Sequence, residues 1–230
     1  MKLSIIIPAY NEERTISEII GKVKSVGLDI DKEIIVVDNS SKDSTPNILE
    51  KITDIKVIRL DPNRGKGGAL KAGIKEATGD IVIFQDADLE YDPVDYSEVI
   101  KPILEGRADV TNGVRKENKM KEDKQILVGF FAWLGNFAIT WTTNILYGVY
   151  HGEYEGCYKA FKAEVLTSIV VNTNNFDFDN ELICKIFKKG YKVVDVPIHY
   201  YPRSYKEGKH INWKHGFRIL WTIIKYRFVS

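Results

Sequence analysis

The sequence predicts an α/β fold: a Rossmann-like, mostly parallel sheet flanked by helices. Three observations lead there. Short runs of Val, Ile and Leu alternate with segments of helical character through the first half of the chain. Those runs are nearly continuous in apolar residues, as strands covered on both faces are. Each run ends in polar or turn-forming residues, where a strand meets a loop.

The strand runs are "LSIIIPAY", "EIIVVDNS", "IKVIRLDPN" and "DIVIFQDAD", and between them stand segments such as "EERTISEIIGKVKSV" and "KGGALKAGIKEAT". A further short strand is predicted around "ADVTNG", followed by the charge-dense "VRKENKMKEDK", which reads as an exposed, mobile loop. From Gln125 to Gly152 no Asp, Glu, Lys or Arg occurs. That stretch is long enough to span a bilayer, yet its Asn and Thr residues and aromatic clusters also suit an interfacial or substrate-facing helix pair, or plain core. A helix at "DFDNELICKIFKKG" ends with Gly190 at a C-cap position, and "YKVVDVPIHY" reads as a strand. The last helix, within 213–229, places Phe217, Leu220, Trp221 and Ile224 on one face, with Lys214, Arg218, Lys225 and Arg227 around them.

At 230 residues the chain suits one domain, 1–230, with a first half (1–115) that carries the parallel sheet and a second half (116–230) that carries helices 125–150 and 213–229. A formal net charge of +1 gives no bulk attraction for nucleic acid, so an anionic partner must be held locally. Cys157 and Cys184 have neither the density of a disulfide scaffold nor metal-ligand spacing, and read as inert residues of a reducing compartment. The opening "MKLSIIIPAY" has too short an apolar stretch for a signal peptide, so the expected location is the cytoplasm.

In open parallel sheets ligands gather beyond the carboxyl ends of the strands. Pro8 to Glu12, Asp38 to Asp43, Asp61 to Lys66 and Gln85 to Glu90 therefore share one rim. Asp86 and Asp88, at spacing two after a strand, repel each other unless a cation lies between them. Mg²⁺ or Mn²⁺ with hard oxygen ligands meets that need, and turn formation or helix capping is the plainer alternative. The segment "NRGKGGALKAG" fits neither the P-loop nor G-x-G-x-x-G. It reads as a loop entering a helix, where its backbone amides with Arg64 and Lys66 accept an anion, or where Gly67 and Gly68 serve close packing alone.

In order along the chain, "IIIPAYNEE", "VVDNSSKDST", "NRGKGGALKAG" and "GDIVIFQDADLEYDP" together resemble family 2 glycosyltransferases of the GT-A fold, over almost the whole length. Within that family "GEYEGCYKAFKAEVL" and the segment from "FDFDNELICKIFKKG" to "YKEGKHINW" are similar to polyprenyl- and dolichyl-phosphate sugar transferases, such as the dolichol-phosphate mannose synthases. The resemblance implies that Pro8, Tyr10 and Glu12 contact the nucleotide base and ribose, and that Asp38 binds the base, with Asn39 beside it. It implies a metal held by Asp86 and Asp88, with Glu90 where a relative supplies a further ligand. Arg64, Lys66, Gln85 and Ala87 fall among the donor-side positions, Arg203 and Lys209 match positions that grip phosphate, and Glu153 matches the acceptor-side acid. The chain departs from the family's usual pattern at Asn39 and Glu153, which stand where Asp is usual, and at Lys159, which stands where Arg is usual. Its glycine loop also differs from the G-L-G-T-A of mannose synthases.

The implied reaction is metal-dependent inverting transfer of a sugar from a nucleoside-diphosphate donor, GDP-mannose or UDP-glucose, to a polyprenyl or dolichyl phosphate. Arg203 with Lys209 would hold the acceptor phosphate. A sugar hydroxyl acceptor would instead need Glu153, Asp177, Asp179 or Glu181 to take its proton. A sugar-nucleotide pyrophosphorylase or a nucleotide-sugar-binding module without turnover are the rival readings. Relatives often carry membrane-spanning helices after the catalytic domain, and this chain ends without them, so a peripheral enzyme on the cytoplasmic membrane face is expected, with no nucleic-acid partner.

Overall fold

The computed structural model describes residues 1–115, 126–202 and 213–229, the side chains of 126–133 and 213–215 excepted. The chain runs β1 (Lys2–Ala9), α1 (Ile16–Ser25), β2 (Asp31–Asp38), α2 (Thr45–Leu49), β3 (Lys56–Arg59), α3 (Gly65–Glu76), β4 (Ile81–Phe84), α4 (Tyr96–Leu104), β5 (Val110–Arg115), α5 (Ile126–Tyr147), β6 (Lys159–Lys162), α6 (Ala163–Thr167), α7 (Phe178–Lys188), β7 (Val193–Ile198) and α8 (Trp213–Phe228). The strands form a seven-stranded sheet in the order β3-β2-β1-β4-β6-β5-β7. Every pairing is parallel except the two made by β6, with β4 and with β5.

The continuous apolar runs are explained by two cores, one on each face of the sheet. Leu3, Ile5 and Ile7 of β1 point to the side covered by α1 and α4, while Ile6 points with Ile35, Val37 and Phe84 to the side covered by α3, α7 and α8. Alternate residues therefore serve opposite cores, and no position on β1 from Leu3 to Ile7 is left for a polar face except Ser4, which is itself buried. The chain leaves β1 toward β2 and β3, then returns through α3 to β4 on the other side of β1. This reversal opens a crevice beyond the carboxyl ends of β1, β2 and β4.

α3 packs close to the sheet because of Gly73, where a Cβ would lie 2.4 Å from Ile6 Cγ2. Gly67 serves a different contact. A Cβ there would lie 2.6 Å from Phe178 Cβ, so it admits the start of α7. Gly68 donates its amide to the Asn174 carbonyl at 3.1 Å and Gly65 donates to Asn63 Oδ1 at 2.9 Å, which commits two of the amides of the expected anion loop to the protein.

The uncharged stretch forms one helix, α5, where a pair was expected. Gly135 and Asn136 lie within it, and it ends at Gly148, whose φ of +65° suits glycine after a helix. Gly190, at φ +76°, closes α7 in the expected way. Among the described residues no helix is long and apolar enough to cross a membrane. Residues 116–124, read as a mobile loop from their charge, lie outside the described residues, as do Arg203 and Lys209.

At the amino edge of the sheet Glu33 joins β1, β2 and the turn before β4. It accepts from Lys2 Nζ at 2.7 Å, Ser4 Oγ at 2.5 Å and Thr78 N at 2.7 Å. Burial works to raise its pKa, and these donors overcome that, holding it at about 2 instead of 4.5. Because the folded-state value is depressed, its stabilisation is complete above the unfolded value and is lost as the pH falls through the folded one. Urea midpoints of Glu33→Gln are expected to lie below those of the native chain at neutral pH, with the gap closing between pH 4.5 and pH 2. Gly73→Ala is expected to destabilise by about 1–3 kcal/mol through overpacking. Gly21→Ala, in α1 with nothing within 4 Å of its added Cβ, is expected to stabilise by about 0.5–1 kcal/mol in the same assay.

Candidate active site

Beyond the strand ends lies a cleft of about 650 Å³, and Pro8, Tyr10, Glu12, Asn39, Lys66, Asp86, Ala87, Asp88 and Glu90 all line it. The structure thus brings most of the donor-side positions together. The rest of the wall comes from the second half of the chain, including Arg115, Tyr154, Glu155, Lys159, Asp179, Asn180 and Tyr200.

The β1 and β2 ends are tied into one loop layer. Asn11, at φ +57°, accepts from Lys42 N at 2.8 Å through its side-chain oxygen and donates its own amide to Ser41 Oγ at 2.9 Å. The Glu12 amide donates to Thr45 Oγ1 at 2.9 Å. Asp38, 1% exposed, accepts from the Ser41 amide at 3.0 Å through Oδ1. Its Oδ2 has no hydrogen bond, and the nearest cation is Arg59 Nε at 3.5 Å. The departure at Asn39 has a structural cause. Its Nδ2 donates to Asn63 Oδ1 at 3.2 Å while its Oδ1 accepts from the Arg64 amide at 2.9 Å, and an aspartate could supply only the second bond.

Asp86 and Lys66 form the central contact, Nζ to Oδ1 at 2.6 Å. Burial pushes the Asp86 carboxyl up, but the Lys66 ammonium outweighs it and holds the pKa below the usual carboxylate range. The partner responds in kind: burial lowers Lys66, and Asp86 with other anions raises it well above the usual lysine value. Asp88 accepts from the Glu90 amide at 3.1 Å across Leu89, whose φ is +64°. Glu90 in turn accepts from the Tyr200 hydroxyl at 3.0 Å.

Among the described residues no three His, Cys, Asp or Glu side chains converge to hold a divalent ion. Mg²⁺ bound by one or two carboxylates and completed by substrate phosphate oxygens fits Asp86 and Asp88; a cage made by protein alone does not.

Some expected contacts lie elsewhere. Gln85 is fully buried; its Oε1 accepts from the Tyr96 hydroxyl at 2.6 Å and the Tyr158 hydroxyl at 2.7 Å, and its Nε2 donates to the Asp86 carbonyl at 2.9 Å. It supports the backbone of Asp86 instead of facing a ligand. Arg64 lines a separate groove of about 490 Å³ with Lys71, Lys75 and Asn174. Glu153 is held by Arg115, Nε to Oε2 at 2.9 Å and a second guanidinium nitrogen to Oε2 at 2.6 Å, and also accepts the Arg115 amide. Lys159, where Arg is usual, is 1% exposed and donates to the carbonyls of Tyr154 and Gly156.

Of the four carboxylates open to proton transfer in the hydroxyl-acceptor reading, three are engaged. Glu153 has Arg115; Asp177 has Arg218 Nε at 3.1 Å; Glu181, fully buried, accepts the amides of Asn172 and Thr173 and pairs with Lys185 at 2.8 Å. Asp179 alone lines the cleft. Arg115 and Glu155 were not singled out from sequence. Arg115 ends β5, so the strand-end rule that found Asp38 and Asp86 applied to it as well.

A model of glycosyl transferase family 2 matches residues 4–168. A UDP-N-acetylglucosamine–dolichyl-phosphate N-acetylglucosaminyltransferase of Methanococcus voltae is 27% identical over 241 residues, covering 96% of this chain and 94% of that protein. A dolichol-phosphate mannosyltransferase of Pyrococcus furiosus is 29% identical over 217 residues, covering 91% of this chain and 59% of that protein. The crystal structure of glucosyl-3-phosphoglycerate synthase from Mycobacterium tuberculosis with Mn²⁺, uridine diphosphate and glucosyl-3-phosphoglycerate superposes with a TM-score of 0.74 at 20% identity, covering 100% of this chain and 81% of that one. At that identity the likeness carries the fold, which is GT-A.

A double-mutant cycle on Lys66→Met and Asp86→Asn tests the central contact. Either single change leaves a charge short of its partner, and the pair is expected to show a coupling of about 1–3 kcal/mol in denaturant unfolding.

Proposed function

The chain belongs to glycosyl transferase family 2, and from that membership we propose transfer of a sugar from a nucleoside-diphosphate donor to a polyprenyl or dolichyl phosphate at the cytoplasmic membrane surface. The single observation that carries the acceptor side is α8, which lines the cleft through Ile219 while turning Phe217, Trp221, Ile224 and Phe228 outward. α5 packs beside it and exposes Leu134, Phe137, Trp141 and Ile145. Two neighbouring helices thus each expose apolar, Trp-bearing residues, with Arg218, Lys225 and Arg227 on α8. Relatives named for dolichyl-phosphate acceptors support the same choice.

In this reading the bond from the anomeric carbon to the diphosphate oxygen breaks with inversion, its electron pair leaving with the nucleotide, as the acceptor oxygen bonds to that carbon. Mg²⁺ or Mn²⁺, when bound, would stabilise the charge on the leaving diphosphate. Asp86 and Asp88 would hold that ion, with Glu90 fixing the loop through Tyr200. Pro8, Tyr10 and Glu12 would hold base and ribose, while Asp38, buried and outside the cleft lining, would act behind them on the β2 loop through Ser41. Lys66 would pass from Asp86 to the incoming diphosphate. A phosphate acceptor is already ionised near neutral pH and needs no base, so its demand is for cations, which Arg203 and Lys209 would supply. A hydroxyl acceptor remains the second reading because Asp179 lines the cleft and its Oδ1 has no hydrogen-bond partner among the described residues.

Thermal shift with UDP and GDP in the presence of Mn²⁺ is expected to show a rise for one base, and release of that diphosphate is expected only when a polyprenyl phosphate is added. Asp86→Asn is expected to lower that release at least about 100-fold. Replacing both Trp141 and Trp221 by Ser is expected to weaken sedimentation with anionic vesicles about tenfold while leaving nucleotide binding unchanged. Release with a sugar hydroxyl acceptor instead, abolished in Asp179→Asn, selects the second reading.

A further inference from the structure

The turn that carries Asp86 and Asp88 is closed from beneath by one side chain. Alternation along β4 sends Gln85 to the side of Ile81 and Ile83, into a layer formed by Tyr91, Tyr96 and Tyr158. A carboxamide buried there is costly unless its polar atoms are bonded. All four of its capacities are used. Oε1 accepts from the Tyr96 hydroxyl at 2.6 Å and the Tyr158 hydroxyl at 2.7 Å, while Nε2 donates to the Asp86 carbonyl at 2.9 Å and to the Tyr91 carbonyl at a longer 3.5 Å.

The partners fix which way the amide faces. Backbone carbonyls only accept, so the nitrogen must meet Asp86 and Tyr91, and the oxygen is left for the two hydroxyls. Burial pushes both hydroxyls well above the usual tyrosine value, so they stay protonated and donate. The Gln85 backbone amide donates to the Ile6 carbonyl at 3.0 Å, which anchors the residue on β1. The two carbonyls reached by Nε2 stand at the two ends of the turn. Between them the backbone reverses through Leu89 at φ +64°, and Asp88 accepts the Glu90 amide at 3.1 Å. A non-glycine residue in that region persists only where its surroundings over-determine it. Tyr91 is packed against Tyr158 and Tyr200, with ring centroids 5.3 Å and 5.2 Å away. An apolar side chain of similar bulk at position 85 would fill the same space, and the tie between the ends of the turn is what the carboxamide adds.

We propose that Gln85, held by Tyr96 and Tyr158, is a positioning residue: by closing the turn from Asp86 to Tyr91 it sets the spacing of the Asp86 and Asp88 carboxylates, and with it the strength of their grip on a divalent ion. The inference rests on the proposed function for the ion, and on the hydrogen bonds alone for the turn. Partners that stand behind metal ligands typically account for about 10–100-fold in metal affinity.

Gln85→Met keeps the bulk and removes all four bonds, whereas Tyr158→Phe and Tyr96→Phe each remove one and keep the ring. Mn²⁺ titrations of the full chain with UDP or GDP present, free Mn²⁺ being followed by electron paramagnetic resonance, are expected to show affinity lower by about tenfold or more in Gln85→Met and by about threefold in each Phe variant. Saturation-transfer NMR with uridine or guanosine, without metal, is expected to give nucleoside affinities within about twofold of native in all three, because the nucleoside reaches only the Pro8 to Glu12 side. Equal weakening with and without the ion would show a merely structural role, and native Mn²⁺ affinity in the variants would show that the tie has no effect; either overturns the proposal. Should Gln85→Met fail to fold, the two Phe variants decide by the same criteria. If the native chain binds no Mn²⁺ with either nucleotide, the proposed function fails by itself. Hydrogen exchange of the amides of residues 86–91 in the ion-free chain then decides the turn: faster exchange in the Phe variants upholds the tie, and unchanged exchange overturns it.

Discussion

A lysine ammonium 2.6 Å from an aspartate oxygen, both largely withdrawn from water, is an arrangement that two separate parts of the fold must be built to deliver. Lys66 arrives on the first turn of α3, and α3 can lie where it does only because Gly73 lets it approach the sheet and Gly67 lets it approach α7. Asp86 arrives from the end of β4, and its backbone is fixed from behind by Gln85, whose amide group is in turn gripped by Tyr96 and Tyr158. Removal of either charge would leave the other in a poorly solvated place, which is why the pair constrains its surroundings more than a surface ion pair would.

The same logic of shared fixation extends along the rim. The β2 loop and the α3 loop are joined by Asn39, which donates to one residue and accepts from the next. The β1 and β2 loops are joined by Asn11, Ser41, Glu12 and Thr45. The crevice at the reversal of strand order is therefore lined by loops that hold one another, and its walls can stay put while a flexible ligand enters.

What the sequence disclosed follows the range of the interactions involved. Parallel strands, the rim and the identity of Asp86 and Asp88 were legible because each is written in local pattern: apolar runs, their polar ends, a close carboxylate pair. The direction of a side chain at a strand end is not local. Gln85 and Asp86 are adjacent, yet one is locked into the tyrosine layer and the other faces the cleft. Arg64 and Lys66 are likewise only two residues apart, yet the first lines a different groove. Glu153 matched an acidic position in kind, but its engagement by Arg115 depends on β5 pairing with β6 and β7, a juxtaposition between distant segments. Asn39 read as a departure until Asn63 and Arg64 supplied its partners. The α5 stretch was legible in composition and not in shape, because Gly135 and Asn136 are permissive of a break without imposing one.

The balance of charge inside the cleft bears on how an anionic ligand could enter it. Among its lining residues Glu12, Asp86, Asp88, Glu90, Glu155 and Asp179 stand against Lys66, Arg115 and Lys159. Arg115 is paired with Glu153 and Lys66 with Asp86, while Lys159 donates to backbone carbonyls and keeps its charge. Burial pushes the Glu155 carboxyl up, and among the described lining residues acidic side chains outnumber basic ones. A diphosphate added to that wall would be repelled unless it brought or met new positive charge. On the proposed function the new charge comes with the ligand, as the divalent ion that Asp86 and Asp88 are suited to share with phosphate oxygens. An acidic wall that is repulsive to the bare anion and receptive to its metal complex selects between the two.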